Sequence, residues 1–371
     1  MENLYLFISG RNPELSKAEI YSFLKTREIS IIQIIEKENA ILIEVKKEID
    51  VADLTCLGGT IAVGKVLADI SKSGRKEIDA KLKNAYRGKK NNILYAIWNF
   101  SDEKNYEFVV DYLKEKFKEE KLKASRKNLT GTLELQDGKR KSIVGNDVDE
   151  QFFVFDKYFG RIFFNTNYEE LEFRDISKPH RREFLAISPR LAKIMINLSQ
   201  TKKGGRIIDA FCGIGVIISE ALLQGINATG IDVDKNALEM AKKNLEWLKI
   251  KKEGYELINE NSGNVKLSGL SFNSLVSEPD LGEILKEIPT KEKARLILIK
   301  YENLMINVLK NMKHYVNSRF VFTSPYIMAG SKRISCDINK IAKSCGLRVV
   351  ESYPEFRKNQ IVGREIFVME H

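Results

Sequence analysis

Two carboxylates and two glycines, Asp209, Gly213, Gly215 and Asp232, stand at spacings that suit recognition of a nucleoside. Asp209 closes the apolar run Ile207-Ile208 and opens Ala210-Phe211-Cys212-Gly213-Ile214-Gly215, while Asp232 closes a second apolar run in Gly230-Ile231-Asp232-Val233-Asp234. A carboxylate at the C-terminal end of a buried strand can accept hydrogen bonds from both ribose hydroxyls, and glycines let backbone approach a ligand closely. Val233 is then placed against an adenine ring, with Phe211 on the intervening turn. The G-x-G-x-x-G dinucleotide pattern fails at Ile218, which argues against a ligand whose pyrophosphate sits on the helix N-terminus. S-adenosyl-L-methionine carries no pyrophosphate and is the expected cofactor. A packing turn without any ligand is the alternative.

The elements that must hold these residues follow from periodicity. Arg206 to Ile208 and Ala228 to Ile231 read as buried strands, Val216 to Leu223 as the helix between them, and Lys235 to Lys249 as a helix capped by Asp234. Ser274 to Val276 and Arg319 to Thr323 are expected as further strands of the same sheet, followed by a helix over 337–345 and a strand over 347–352. Upstream, strands are expected at Leu4 to Ser9, Ile31 to Ile35, Ala40 to Val45 and Thr60 to Leu67. Helices are expected at Leu15 to Lys25, with Asn12 as cap, and at Asp50 to Thr55. Beyond them come strand 92–99, helix 107–119, a hairpin turning at Asp137-Gly138, and strands 151–155 and 161–165. The polar, basic stretch Phe173 to Arg182 reads as a linker.

The chain has 371 residues, enough for two or three cores. No apolar run reaches the roughly 18 residues that span a bilayer, and the N-terminus, with Glu2 and Arg11 around a short apolar patch, has no signal-peptide pattern. A cytoplasmic location is expected. Cys56, Cys212, Cys336 and Cys345 show no C-x-x-C spacing, so neither zinc nor a disulfide framework is indicated, and no metal is expected. A net charge of +10 favours polyanionic partners. Basic residues cluster at Lys121, Lys123, Arg126, Lys127, Lys139, Arg140 and Lys141, and again at Lys178, Arg181, Arg182, Arg190, Lys193, Lys202, Lys203 and Arg206. Such clusters can neutralise phosphates, although a solvated lysine-rich surface gives the same pattern.

The motif Asp209-x-Phe211-Cys212-Gly213-x-Gly215, then Gly230-x-Asp232-x-Asp234 and Asn244-Leu245, resembles the THUMP-containing tRNA guanine-N2 methyltransferases of class I S-adenosylmethionine-dependent fold. Ser188-Pro189-Arg190-Leu191-Ala192 to Leu198, Gly10 to Ile20, Leu57 to Thr60 and Arg357 to Val368 are similar to other parts of that family. The resemblance implies an α/β protein: a ferredoxin-like domain over 1–59, a THUMP-like RNA-binding domain over 60–172, a linker over 173–183 and a Rossmann-like methyltransferase domain over 184–371. It implies tRNA as partner, a monomer or homodimer, and an adenine-facing role for Asn264. It also places the catalytic loop at Ser277-Glu278-Pro279-Asp280, where exocyclic-amine methyltransferases show an Asp or Asn, two prolines and an aromatic. An arylamine lone pair is delocalised, so such loops hold the amine by accepting its hydrogens while a ring stacks on the base. Here Glu278 or Ser277 stands at the acceptor position and Asp280 where the aromatic belongs. Three functions follow: transfer to the N2 amine of a guanosine in tRNA, an RNA-binding protein that keeps the fold without catalysis, or transfer to another exocyclic amine such as DNA adenine or protein glutamine.

Overall fold

A computed structural model of the chain describes residues 3–73, 75–128, 131–134, 139–143, 148–182, 187–282 and 285–371. The chain divides into two compact units: Met1–Pro13, Ile29–Thr55 and Thr60–Thr166 form one, and Glu14–Glu28, Cys56–Gly59 and Asn167–His371 the other.

The first unit is built on one sheet. Its strands are β1 (Leu4–Ser9), β2 (Ile31–Lys37), β3 (Ala40–Val45), β4 (Thr60–Asp69), β5 (Asn92–Phe100), β6 (Lys123–Arg126), β9 (Glu150–Phe155) and β10 (Tyr158–Asn165), in the order β2-β3-β1-β4-β10-β9-β5-β6. Antiparallel pairing of β1 with β4 (Leu6 opposite Gly64) carries this sheet without interruption across the division expected at 59/60. Alternate residues of β5 and β9 enter opposite cores: Tyr95, Ile97, Phe152 and Val154 on one face, Trp98, Phe100, Phe153 and Phe155 on the other. Each fully buried aromatic of this kind contributes roughly 1.5–3 kcal/mol. Helices α2 (Val51–Leu54), α3 (Ile70–Ser73), α4 (Arg75–Lys81) and α5 (Glu103–Glu119) complete the unit. Helix α5 starts before the expected residue 107 because Asp102 accepts from the Asn105 amide at 2.8 Å and caps it. The short strands β7 (Gly131–Glu134) and β8 (Arg140–Ile143) pair antiparallel as the expected hairpin does, while its turn at 137–138 lies outside the described residues.

The second unit has the order β13-β12-β11-β14-β15-β18-β17, where β11 is Arg206–Asp209, β12 Asn227–Asp232, β13 Tyr255–Asn259, β14 Phe272–Ser277, β15 Val316–Ala329, β17 Arg348–Glu355 and β18 Val362–Glu370. The short β16 (Lys332–Ile334) pairs with β15. Strands β13, β12, β11, β14 and β15 run parallel, and β18 runs antiparallel between β15 and β17. Both faces are buried, as a parallel sheet requires. Ile208, Leu275 and Phe320 face the core formed with α10 (Lys291–Met312) and α11 (Ile338–Cys345). Ile207, Val276, Val321 and Val368 face α7 (Pro189–Leu198) and α8 (Val216–Leu223), with α9 (Lys235–Trp247) beyond them. This is the class I methyltransferase arrangement, with the order reversing between β11 and β14. In open α/β sheets such a reversal opens a crevice beyond the strand C-termini, where ligands bind.

Helix α1 (Pro13–Thr26) belongs largely to this second unit, its Leu15 and Ala18 packing with Leu191, Ile194 and Met195 of α7. Glu19, fully buried, accepts hydrogen bonds from the Gly58 and Gly59 amides at 2.7 Å each and from Asn197 Nδ2 at 2.8 Å. Burial still holds its carboxyl above the ordinary range, although these three donors oppose the shift.

Only the start of the expected linker, Phe173 to Ile176, is helix; residues 177–182 are neither helix nor strand. Asn167 caps α6 (Tyr168–Ile176) through the Glu170 amide at 3.0 Å, Phe173 rests on Trp247 with ring centroids 5.3 Å apart, and Arg174 pairs with buried Glu220 at 3.0 Å. In this helical part the polarity of Arg174 reflects its ion pairs. The expected boundary at 183/184 lies outside the described residues. Helix α10, which the sequence reading does not anticipate, is capped by Thr290 and buries Ala294, Leu298, Tyr301, Met305 and Leu309.

Candidate active site

Strands β11 and β12 end side by side, with Asp209 in register with Gly230. The turn after β11 folds back so that the Cys212 amide donates to the Ile231 carbonyl at 2.9 Å and the Gly213 amide to Asp232 Oδ2 at 2.8 Å. The other carboxylate oxygen of Asp232 accepts from the Asp234 amide at 2.9 Å. Asp232 is therefore a preformed acceptor at the mouth of the crevice, and Val233 beside it is 69% exposed. Gly213 and Gly215 both adopt left-handed backbone, at φ +49° and +83°. A Cβ on Gly213 would meet nothing within 4 Å, so the backbone there borders open space; one on Gly215 would come within 3.1 Å of Ala241 Cβ. Gly215 starts α8, whose first amides point to the turn.

S-adenosyl-L-methionine fits these residues. An open glycine cradle, an acceptor for two ribose hydroxyls and an apolar side chain exposed beside it supply complementary contacts. Asp232, Val233 and Gly213 are the groups that would hold it, and the ligand brings an electrophilic sulfonium methyl.

Asp209 is held quite differently from Asp232. It is 1% exposed, with Oδ1 accepting from Ser277 Oγ at 2.6 Å and the Phe211 amide at 3.1 Å. Burial pushes its carboxyl up to about 7; the Ser277 and Phe211 donors oppose this, and the nearby charges of Asp232 and Glu278 add to it. Asp209 thus pins the glycine turn to the end of β14. Phe211 is partly buried against the core beside α10. Cys212 is buried, and its thiol is pushed well above the usual range by burial, so it is a packing residue.

Three expectations are corrected. Asn264 does not follow the third strand: β13 ends at Asn259, opposite Asp232, and Asn264 lies exposed five residues further along. Asn259 instead donates to the carbonyls of Asp232 and Val233 at 2.9 and 3.0 Å, fixing the loop after β12. Alternation in Tyr255-Glu256-Leu257-Ile258 is the signal that locates this strand. Second, Ser277 is fully buried and its hydroxyl is committed to Asp209, so it presents no acceptor to a substrate. Third, Thr323 does not end the fifth strand, because β15 continues through Ser324, Pro325 and Tyr326, all paired with β18.

Glu278 leaves β14 with its side chain 7% exposed and ion-paired to Nε of Arg364 on β18. Burial raises its carboxyl above the ordinary range, opposed by Arg364 and by the Ile187 backbone. Pro279 is buried, while exposed Asp280 accepts from the Gly282 amide at 3.0 Å and closes the loop on itself. Two further residues brace the crevice. Asn244, part of the expected motif, donates to the Ile214 and His180 carbonyls at 3.1 and 3.2 Å. Ser262 bonds the Ala210 carbonyl and is itself held by Asn311, which donates to the Ser262 and Val265 carbonyls at 3.0 and 2.9 Å.

A family model described as DNA methylase matches residues 15–243. The chain belongs to that methylase family. A second model, described as the RMKL-like methyltransferase domain, matches residues 179–319. Among curated relatives, the tRNA (guanine(10)-N2)-dimethyltransferase of Methanothermobacter thermautotrophicus is 36% identical over 109 residues, 29% of this chain and 32% of the relative. The Pyrococcus abyssi protein of the same name is 25% identical over 199 residues, 53% of this chain and 54% of its own. These matches bear out the expected kinship, and they span from about a third to about half of the relatives' lengths. The chain also shares its fold with TrmN from Thermus thermophilus, at a TM-score of 0.52 and 11% identity over 99% of both chains. Among the described residues, no helix is long and apolar enough to cross a membrane.

Proposed function

We propose that this chain transfers a methyl group from S-adenosyl-L-methionine to the exocyclic N2 amine of a guanosine in tRNA. The observation that carries the reading is the preformed Gly213–Asp232 contact at the reversal of strand order, with an exposed Val233 alongside. The names of the curated relatives support tRNA as substrate and guanine N2 as acceptor. The first unit is read as the tRNA-binding, THUMP-like half; exposed Lys123 and Arg126 on its edge strand β6 supply phosphate contacts. The protein acts in the cytoplasm, without a metal.

In this scheme Asp232 and the glycine turn orient the sulfonium, and the guanosine leaves its helix to enter the crevice. Displacement at the methyl is direct. The chain supplies position and dipoles, and Ser277 with Asp209 keeps the loop after β14 fixed against the cofactor turn.

A second reading is an RNA-binding protein without catalysis. The engagement of Glu278 by Arg364, together with the lack of an aromatic at position 280, favours it. Incubating the purified protein with radiolabelled S-adenosylmethionine and unmodified tRNA transcripts, followed by nucleoside analysis, separates the two. Label in N2-methylguanosine that disappears in Asp232→Ala supports the enzyme. Cofactor binding without label in any nucleoside would leave the RNA-binding reading.

A further inference from the structure

Beside the loop after β14, Arg364 is a charged residue that the proposed reaction leaves without a task. It sits on β18 opposite Pro325 of β15, and its Nε is taken by Glu278, the residue after Ser277. Through Ser277 and Asp209 this pair is linked to the turn that would hold the cofactor. Its side chain is 19% exposed. Among the described residues no acceptor meets Nη1 or Nη2, so the outer prongs of a guanidinium fork, whose inner edge is anchored, remain free at the crevice. An arginine held in this way is pre-organised, since its rotamer is already fixed by the ion pair.

We infer that Arg364 is a specificity-determining residue that reads the acceptor base, its free Nη groups donating to O6 and N7 of the flipped guanine, with Glu278 as the anchor that aims it. Guanine offers two acceptors on that edge, matching an arginine fork, whereas adenine presents a donor at the equivalent exocyclic position. The O6/N7 edge lies away from N2, so a base gripped there keeps its amine free to meet the methyl. The divergent loop is explained by the same arrangement: Glu278 does not receive the amine hydrogens, because it orients the arginine that fixes the base. The inference rests on the methyltransferase reading above and gives its loop a different task from the one expected by resemblance.

The test is a cycle between one atom of the base and one side chain. The guanosine that wild-type enzyme labels is replaced, in a ligated tRNA, by 7-deazaguanosine, which lacks the N7 acceptor. Wild type is expected to lose about tenfold in kcat/KM, the usual worth of a hydrogen bond from a charged donor. Arg364→Ala is expected to lose at least as much on ordinary tRNA, with no further loss on the 7-deaza substrate. Because Arg364→Ala strands a buried carboxylate, the pair Arg364→Ala with Glu278→Gln runs alongside, and cofactor affinity by calorimetry checks that both are folded. Losses that multiply, or a wild type indifferent to 7-deazaguanosine, overturn the assignment while leaving the methyltransferase reading intact. Failure of wild type to label any guanosine overturns both.

Discussion

At the scale of single residues, the division of labour between Asp209 and Asp232 decides what each substitution will do. Both close a strand, so both are legible in the sequence as candidate ligand carboxylates. Only the structure separates them, because burial depends on neighbours far along the chain: Asp209 meets Ser277, 68 residues on, whereas Asp232 stays at the mouth. Asp232→Ala should weaken S-adenosylmethionine binding by about ten- to a hundredfold, read by calorimetry, since acceptors of ribose hydroxyls are lost from a charged group. Asp209→Asn should leave binding nearly unchanged and alter the pH dependence of stability instead. The folded pKa of Asp209, about 7, lies above its ordinary value of 3.8, so the native state holds a proton that the unfolded chain releases. Its contribution is therefore full below pH 4 and is lost as pH rises towards and through 7. Asparagine mimics the protonated acid at every pH. Thermal melts should show the variant gaining on wild type from pH 5 to pH 8; a difference that is flat over that range, or of opposite slope, would refute the assignment. Glu278 illustrates what the sequence alone withholds, since nothing at its position announces the ion pair with Arg364, 86 residues later.

At the scale of elements, the strand–turn–helix units were readable where two signals coincided. Strands β11 and β12 and helices α8 and α9 pair an apolar run with a glycine or a capping aspartate, and each lies close to its expected place. Strand β13 and helix α10 are not anticipated by the sequence reading: β13 is only five residues long, and in α10 the charged Arg295, Lys300 and Glu302 interrupt the apolar pattern. Glu302 is fully buried and looks misplaced in a core, yet Arg295 and Lys340 pair with it at 2.7 and 3.0 Å. Burial raises its carboxyl, but these partners and the Asp337 amide outweigh that and hold it below the ordinary range. The entry to α8 carries a prediction of its own. Gly215→Ala imposes a left-handed residue, costing about 1–2 kcal/mol, and also presses on Ala241 at 3.1 Å. Denaturant unfolding should show a loss of at least that size, with cofactor affinity reduced because the turn must shift. A neutral substitution would show that the turn has slack.

On the scale of the whole molecule, the order of residues along the chain is a poor guide to which unit they serve. Helix α1 and Cys56–Gly59 come from within the N-terminal stretch but belong to the second unit, where Glu19 ties them to Asn197, 178 residues away. A fragment cut at 184–371, the natural boundary by sequence, should therefore fail to fold, because α7 loses the Leu15 and Ala18 packing and Asn197 its buried partner; circular dichroism and limited proteolysis would reveal this. In the intact chain, Glu19→Ala should cost several kcal/mol, as the Gly58 and Gly59 amides and Asn197 lose their acceptor. A stable, cofactor-binding 184–371 fragment would show that α1 is dispensable. The placement of β18 bears on synthesis as well. Val362–Glu370 is made after β15 and β17, yet it lies between them, hydrogen-bonded to both. A nascent or prematurely terminated chain lacking it would expose two unpaired strand edges at once, the sort of surface that aggregates or is recognised by quality control. The second sheet thus closes only on a chain translated through β18, so copies cut short before it carry their own mark for removal.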